Sequence, residues 1–234
     1  MSDILLETKN LCKSFKKNEV IKDVSIQVQK NSIYGLLGPN GAGKSTLMKM
    51  LTGMLRPTQG DIFFMGHKWS RKDLSDMGCL IEEAPLYENL TARENLKVRT
   101  EVLRLPDERI DEVLKIVDLT GTGKKRAGQF SMGMKQRLGI AIALLDHPKL
   151  LILDEPTNGL DPIGIQELRE LIRSFPSKGI TVILSSHILS EVEQVADHIG
   201  IISDGVLGYQ GEFKEGQDLE EKFMEVIRTY RKEA

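Results

Sequence analysis

The chain is poor in the residues that most often announce a redox compartment or a metal centre. Its 234 residues include two cysteines and four histidines. Cys12 and Cys79 lie far apart and form no Cys-x-x-Cys pair. That excludes a disulfide framework, suits a reducing cytosol, and leaves both as expected small core residues. His67, His147, His187 and His198 have no metal-ligand spacing. Charge of either sign is nearly balanced, with a net of −2, which argues against a broad nucleic-acid face. The basic cluster Lys124-Lys125-Arg126 reads as a solvated loop. No apolar run approaches the ~20 residues of a membrane span. The most apolar window, 138–145, is stopped by Arg137 and Asp146. The first seven residues lack the basic start and cleavage site of a signal peptide. There is no internal repeat, low-complexity tract or interdomain linker.

What is present is ordinary globular composition, 40% hydrophobic and 28% charged, enough for a substantial core in one large domain. Within it, residues 38–46 read Gly-Pro-Asn-Gly-Ala-Gly-Lys-Ser-Thr. A glycine, four free positions and then Gly-Lys-Ser/Thr is the pattern of a phosphate loop. Gly38, Gly41 and Gly43 let backbone amides turn inward around an anion, with Pro39, Asn40 and Ala42 between them. Lys44 adds a positive charge near the outer phosphates, and Ser45, followed by Thr46, offers a hydroxyl to Mg²⁺. The flanks agree: 32–37 reads as a short buried strand, and 44–52 as a helix whose positive end faces the phosphates.

Strand patterns also fall at 4–8, 24–28, 62–65 and 77–81. Near Thr91 the texture changes. Thr91-Ala-Arg-Glu94 is a capping box that starts a helix. Asp107 opens a second, with Ile110, Val113, Leu114 and Val117 on one face. Ser131 caps a third, running to about Leu145. Residues 88–147 therefore read as a helical insertion between two β-rich parts. Leu150-Leu-Ile-Leu153 is apolar on both faces, as a central parallel strand should be. Asp161-Pro162 starts another helix, and 180–184 is the next buried strand. Residues 199–202 and 206–209 flank the hairpin signal Ser203-Asp204-Gly205. The charged tail, 218–234, is helical in pattern.

The strand at 150–153 ends in Asp154-Glu155, which places two acids at the carboxyl edge of a sheet, where ligands bind in α/β folds. Asp154 would hold Mg²⁺, and Glu155 would orient or deprotonate the attacking water. The plainer reading is an exposed Asp-Glu turn.

At this point the chain resembles the ATP-binding subunit of an ABC transporter over nearly its whole length. Phe130-Ser-Met-Gly-Met134 followed by Lys135-Gln136-Arg137 stands at the family signature, Asn158-Gly-Leu-Asp161 at the loop after the catalytic acid, and Ser185-Ser-His187 at the switch histidine. The resemblance implies an α/β P-loop ATPase. It would have a RecA-like mixed sheet core, an N-terminal antiparallel β subdomain and an α-helical insertion. Residues 1–234 would form one domain, with 1–87 and 148–215 as the nucleotide core, 88–147 as the signature subdomain and 216–234 as a C-terminal helix. It further implies that Ser131, Gly133 and Asp161 serve the ATP of an opposing subunit, so two chains sandwich two ATP molecules head to tail. His187 would contact the γ-phosphate, against a reading as a satisfied strand-end histidine. Phe15 takes the place of the aromatic that stacks on adenine, against a reading as an ordinary core residue.

Two departures narrow the resemblance. Glu82 stands where the family has glutamine, bringing a charge able to bind Mg²⁺; the alternative is a solvated loop acid with Glu83 its equal. Met132 and Met134 replace Gly and Gln in the signature. These features look like the peptide-antibiotic resistance branch, the bacitracin and lantibiotic immunity ATPases. The implied task is ATP hydrolysis at the cytoplasmic face of a bacterial membrane. The chain would pair with itself or a sister subunit and with separate permease proteins that contact the peptide cargo. A soluble ABC-type ATPase such as an iron–sulfur assembly protein, or a nucleotide switch with little hydrolysis, stays open as an alternative.

Overall fold

The computed structural model describes residues 3–214 and 218–230. The chain opens with β1 (Ile4–Phe15), β2 (Asn18–Val24), β3 (Gln27–Gln29) and β4 (Ile33–Leu37), then α1 (Lys44–Leu51), β5 (Gln59–Phe64), β6 (His67–Lys68) and β7 (Met77–Leu80). Three helices follow: α2 (Ala92–Leu103), α3 (Glu108–Ile116) and α4 (Met132–Leu144). Strands and helices then alternate through β8 (Leu150–Leu153), α5 (Pro162–Arg173), β9 (Thr181–Ser186), α6 (Leu189–Glu193), β10 (His198–Ser203), β11 (Val206–Glu212) and α7 (Leu219–Tyr230).

Two sheets carry the fold. The central one runs β11-β10-β4-β9-β8-β7, parallel from β10 to β7 and closed at one edge by the antiparallel β11. The other runs β2-β1-β5-β6, with β3 also on β1, and is antiparallel throughout. Alternation along the central strands builds two cores. Tyr34, Leu36, Leu150, Ile152 and Ile183 face α1 and the antiparallel sheet. Ile33, Leu37, Leu151, Leu153, Val182 and Leu184 face the opposite way, with α2 to α7. A strand buried on both faces must be apolar at every position, and β4 and β8 are. The parallel strands β4, β9, β8 and β7 thus end along a single edge, and the site lies there.

The helical insertion is braced by its own polar groups. Thr91 accepts the Glu94 amide, and the Glu94 carboxylate accepts the Thr91 amide at 2.8 Å. Those backbone and hydroxyl bonds from Thr91 hold the Glu94 carboxyl below the usual range. Arg109, buried, donates from Nε to the Leu145 carbonyl at 3.0 Å and from Nη2 to that of Leu144, so a cation from α3 satisfies the C-terminus of α4.

Several expectations shift. The segment 24–28 is not one strand: β2 ends at Val24 and β3 starts at Gln27. The first strand runs on to Phe15 rather than stopping at Thr8. Asp107 precedes α3 but makes no side-chain cap; its carboxylate is drawn to Lys97 at 2.6 Å. Cys12 is half-buried rather than a core residue; Cys79 is half-buried and packs against the core, and burial pushes its thiol up. The expected tail helix is observed as α7; residues 215–217 and 231–234 of that tail lie outside the described residues.

Candidate nucleotide site

The glycine-rich loop leaves β4 at Gly38 and enters α1 at Lys44. Gly38 is required by packing, since a Cβ there would stand 2.3 Å from the Ile202 carbonyl. Gly43 sits at φ 106°, where side chains are strained, and a Cβ would also meet Ile21. The loop is supported from behind. The hairpin between β10 and β11 donates the Gly205 amide to the Ala42 carbonyl at 3.0 Å, and Lys22 of β2 reaches the Asp204 carboxylate at 2.9 Å. Pro39 and Asn40 rim the loop, and Ser45 and Thr46 are half-buried in the first turn of α1. No acid occupies that turn, so the helix end is left positive.

Lys44 is only 5% exposed; its ammonium donates to the carbonyls of Gly38 at 2.7 Å and Pro39 at 3.2 Å. It also lies 3.0 Å from Glu155 Oε1, an ion-pair contact to an oxygen that has no aligned hydrogen bond. The other oxygen of Glu155 meets His187 Nδ1 at 2.8 Å. A carboxylate only accepts, so Nδ1 carries the hydrogen and Nε2 is left for another partner. Asp154, buried, accepts the Ser185 hydroxyl at 2.6 Å, while Ser185 Oγ accepts the Glu155 amide at 2.8 Å. One buried serine on β9 therefore orients both acids at the end of β8. Glu155 itself takes φ 47°, the bend that turns its side chain off the strand direction.

Glu82 follows β7 on the same edge, also at positive φ, and its carboxylate pairs with Lys49 of α1. Glu82, Glu83, Ser45, Asp154, Glu155 and Asn158 line a common cleft of about 670 Å³. Ser131 and Gly133 are elsewhere. Ser131 caps α4, accepting the Met134 amide at 3.3 Å. With Gly133, Lys125, Asp161 and Arg137 it borders a second groove of about 730 Å³. Met132, well exposed, borders both spaces, whereas Met134 packs against the core. Asp161 caps α5, accepting the Gly164 amide at 2.8 Å. Phe15 stands at the tip of the β1–β2 hairpin, 46% exposed, with the Lys13 ammonium 5.0 Å from its ring centre, so it is no core residue.

Phosphate and metal chemistry fit these residues. The loop presents glycines, a buried lysine and a helix N-terminus to an anion. Ser45 and Asp154 are hard oxygen donors of the kind Mg²⁺ takes alongside substrate phosphates. Among the described residues no three His, Cys, Asp or Glu side chains form a metal cluster. Sequence reasoning passed over Ser185, Lys49, Thr157 and Glu191 as individuals. Ser185 had a signal, a small polar residue directly after the apolar run Val182-Ile-Leu184.

A profile of the ABC transporter family matches residues 21–158. The lantibiotic transport ATP-binding protein SrtF of Streptococcus pyogenes is 53% identical over 219 residues, covering 94% of this chain and 96% of its own length. The bacitracin transport ATP-binding protein BcrA of Bacillus licheniformis is 49% identical over 208 residues, covering 87% of this chain and 68% of its own. Among solved structures, the ATP-binding subunit of an ABC transporter superposes with TM-score 0.83 at 31% identity, over 95% of this chain and 99% of that one.

Proposed function

Because the chain belongs to the ABC transporter family as an ATP-binding, ATP-hydrolysing subunit, we propose that it drives removal of a lantibiotic-type peptide antibiotic from the membrane. The relatives that carry lantibiotic and bacitracin transport in their names support this cargo class. No described helix is long and apolar enough to cross a membrane. In this reading separate permease subunits supply the translocation path, and this chain sits at their cytoplasmic face.

Within the site, the loop from Gly38 to Thr46 binds the phosphates, Phe15 offers a stacking face for adenine, and Ser45 and Asp154 hold Mg²⁺, with Glu82 able to join them. Bound Mg²⁺ neutralises charge on the phosphates. Glu155 acts as the base for water, and His187 presents Nε2 to the γ-phosphate. The observation that carries this reading is the convergence of Lys44, Glu155 and His187 through contacts of 3.0 Å and 2.8 Å at the ends of three neighbouring strands. Ser131, Gly133 and Asp161 border a different groove from Ser45 and Glu155. That separation supports a head-to-tail dimer in which each signature completes the partner's site. The domain is best divided as 1–87 with 148–215, 88–147, and a C-terminal helix in 216–234.

Glu155→Gln tests the assignment. The variant should bind Mg-ATP, accumulate as an ATP-bound dimer on size exclusion and lose nearly all phosphate release. Hydrolysis at the parental rate would remove Glu155 from its role. Co-purification with integral membrane proteins tests the transporter; a lasting soluble complex without them would refute it.

A further inference from the structure

Two loops carry the reacting side chains, one after β8 with Glu155 and one after β9 with His187. They touch at the Glu155–His187 contact of 2.8 Å. They are joined a second time, away from the nucleotide cleft, through a residue that belongs to neither. Glu191, in the first turn of α6, uses a single carboxylate oxygen to accept the Thr157 hydroxyl at 2.6 Å and the Ser186 hydroxyl at 3.0 Å. Thr157 is two residues past Glu155, and Ser186 immediately precedes His187. Ser186 is buried, and its oxygen also accepts the Ile188 amide at 3.0 Å, so the turn holding His187 is pinned on both sides.

We propose that Glu191 is a positioning residue. It bridges Thr157 and Ser186 and so fixes the spacing between the acid loop and the histidine loop, which sets the Glu155–His187 hydrogen bond. The physical grounds are the low tolerance of that bond for misplacement and the charge-assisted strength of two hydroxyl donors on one carboxylate. Thr157 also begins the turn toward Asp161, its carbonyl accepting the Leu160 amide at 3.1 Å. The inference rests on the roles given above to Glu155 and His187.

Glu191→Ala, Glu191→Gln and Thr157→Val test it in the full chain. Heteronuclear NMR of the His187 ring nitrogens, in protein without nucleotide, should show a single Nδ1–H tautomer in the parent and a mixture in Glu191→Ala. Turnover should fall about tenfold in Glu191→Ala with KM for ATP held within about twofold. Glu191→Gln keeps an oxygen acceptor and should restore both readings. Thr157→Val should resemble Glu191→Ala, and the double variant should be no worse than the more damaged single one. An unchanged His187 spectrum with unchanged turnover in Glu191→Ala overturns the proposal. So does a loss of turnover that Glu191→Gln shares in full, or one that only follows a lowered unfolding midpoint. A parent that releases no phosphate would defeat the hydrolytic reading, while the tautomer measurement would still judge Glu191.

Discussion

At the scale of single residues, the site depends on a few side chains that each hold more than one partner. Lys44 joins two loop carbonyls to Glu155, and Ser185 joins Asp154 to the Glu155 amide. The lysine is nearly fully buried, and its charge is worth more there than at the surface. Lys44→Ala should weaken ATP binding by about tenfold or more, the equivalent of ~1.5–3 kcal/mol for hydrogen bonds to a charged donor. Equilibrium binding of a fluorescent ATP analogue checks this, and unchanged affinity together with unchanged turnover would count against the whole site. The loop itself was legible in the sequence because glycine, lysine and serine act through local geometry. Glu155 was legible as an acid at a strand end. Its bond to His187 was not, because thirty-two positions separate the two in the chain.

At the scale of elements, the helical insertion illustrates how polar groups close helix ends. The Thr91–Glu94 box was plain from spacing alone. Its energetics have a definite sign: a folded-state pKa below the ordinary value means stabilisation that is present above the ordinary glutamate range and is lost as pH falls through the lowered pKa. Glu94→Gln should therefore unfold earlier than the parent at neutral pH, with the gap closing in acid, as a pH series of thermal melts would reveal. Arg109 had no such signature. Its partners, the Leu144 and Leu145 carbonyls, are thirty-five and thirty-six residues distant, and its guanidinium stands where a sequence pattern predicts a solvated charge. Arg109→Met leaves the Leu145 carbonyl unsatisfied, while that of Leu144 keeps the His147 amide at 3.3 Å, and should cost about 1–3 kcal/mol in urea unfolding; a change within ~0.5 kcal/mol would mean that water replaces the guanidinium. Asp107 taught the reverse lesson. A residue type that favours helix starts was taken by a nearby lysine instead: Asp107 has helical backbone angles, and the first amides of α3 already meet main-chain carbonyls, Arg109 that of Pro106 at 3.1 Å and Ile110 that of Asp107 at 2.9 Å.

At the scale of the whole molecule, the departure from the family pattern at Glu82 ties two segments together. Its pairing with Lys49 links the segment entering the helical insertion to the helix that follows the phosphate loop. Glu82→Gln breaks that charge pair while leaving Asp154, Glu155 and His187 in place. Phosphate release by the purified subunit should survive, whereas, on the proposed transport role, protection of cells that carry a partner permease against a lantibiotic-type peptide should change. Identical protection would return Glu82 to a solvated loop acid. Sequence alone determined the kinds of elements, the order of the motifs and the family, since apolar periodicity, caps and glycine spacing are properties of neighbouring residues. It also placed Lys44, Asp154, Glu155 and His187 at the end of a strand or the start of a helix, whereas Phe15 lay beyond the strand expected at 4–8. The tertiary structure decided which ends are neighbours. The order β4-β9-β8-β7 brings Leu37 beside Ser186 and Leu153 beside Leu184, and with them Lys44, Glu155 and His187 into contact. It alone set Ser185 between the two acids, joined Thr157 to Ser186 through Glu191, and kept Ser131 in another groove. Those relations rest on how two cores pack against both faces of one sheet. Packing of that kind is a property of residues distant in sequence, and no local pattern encodes it.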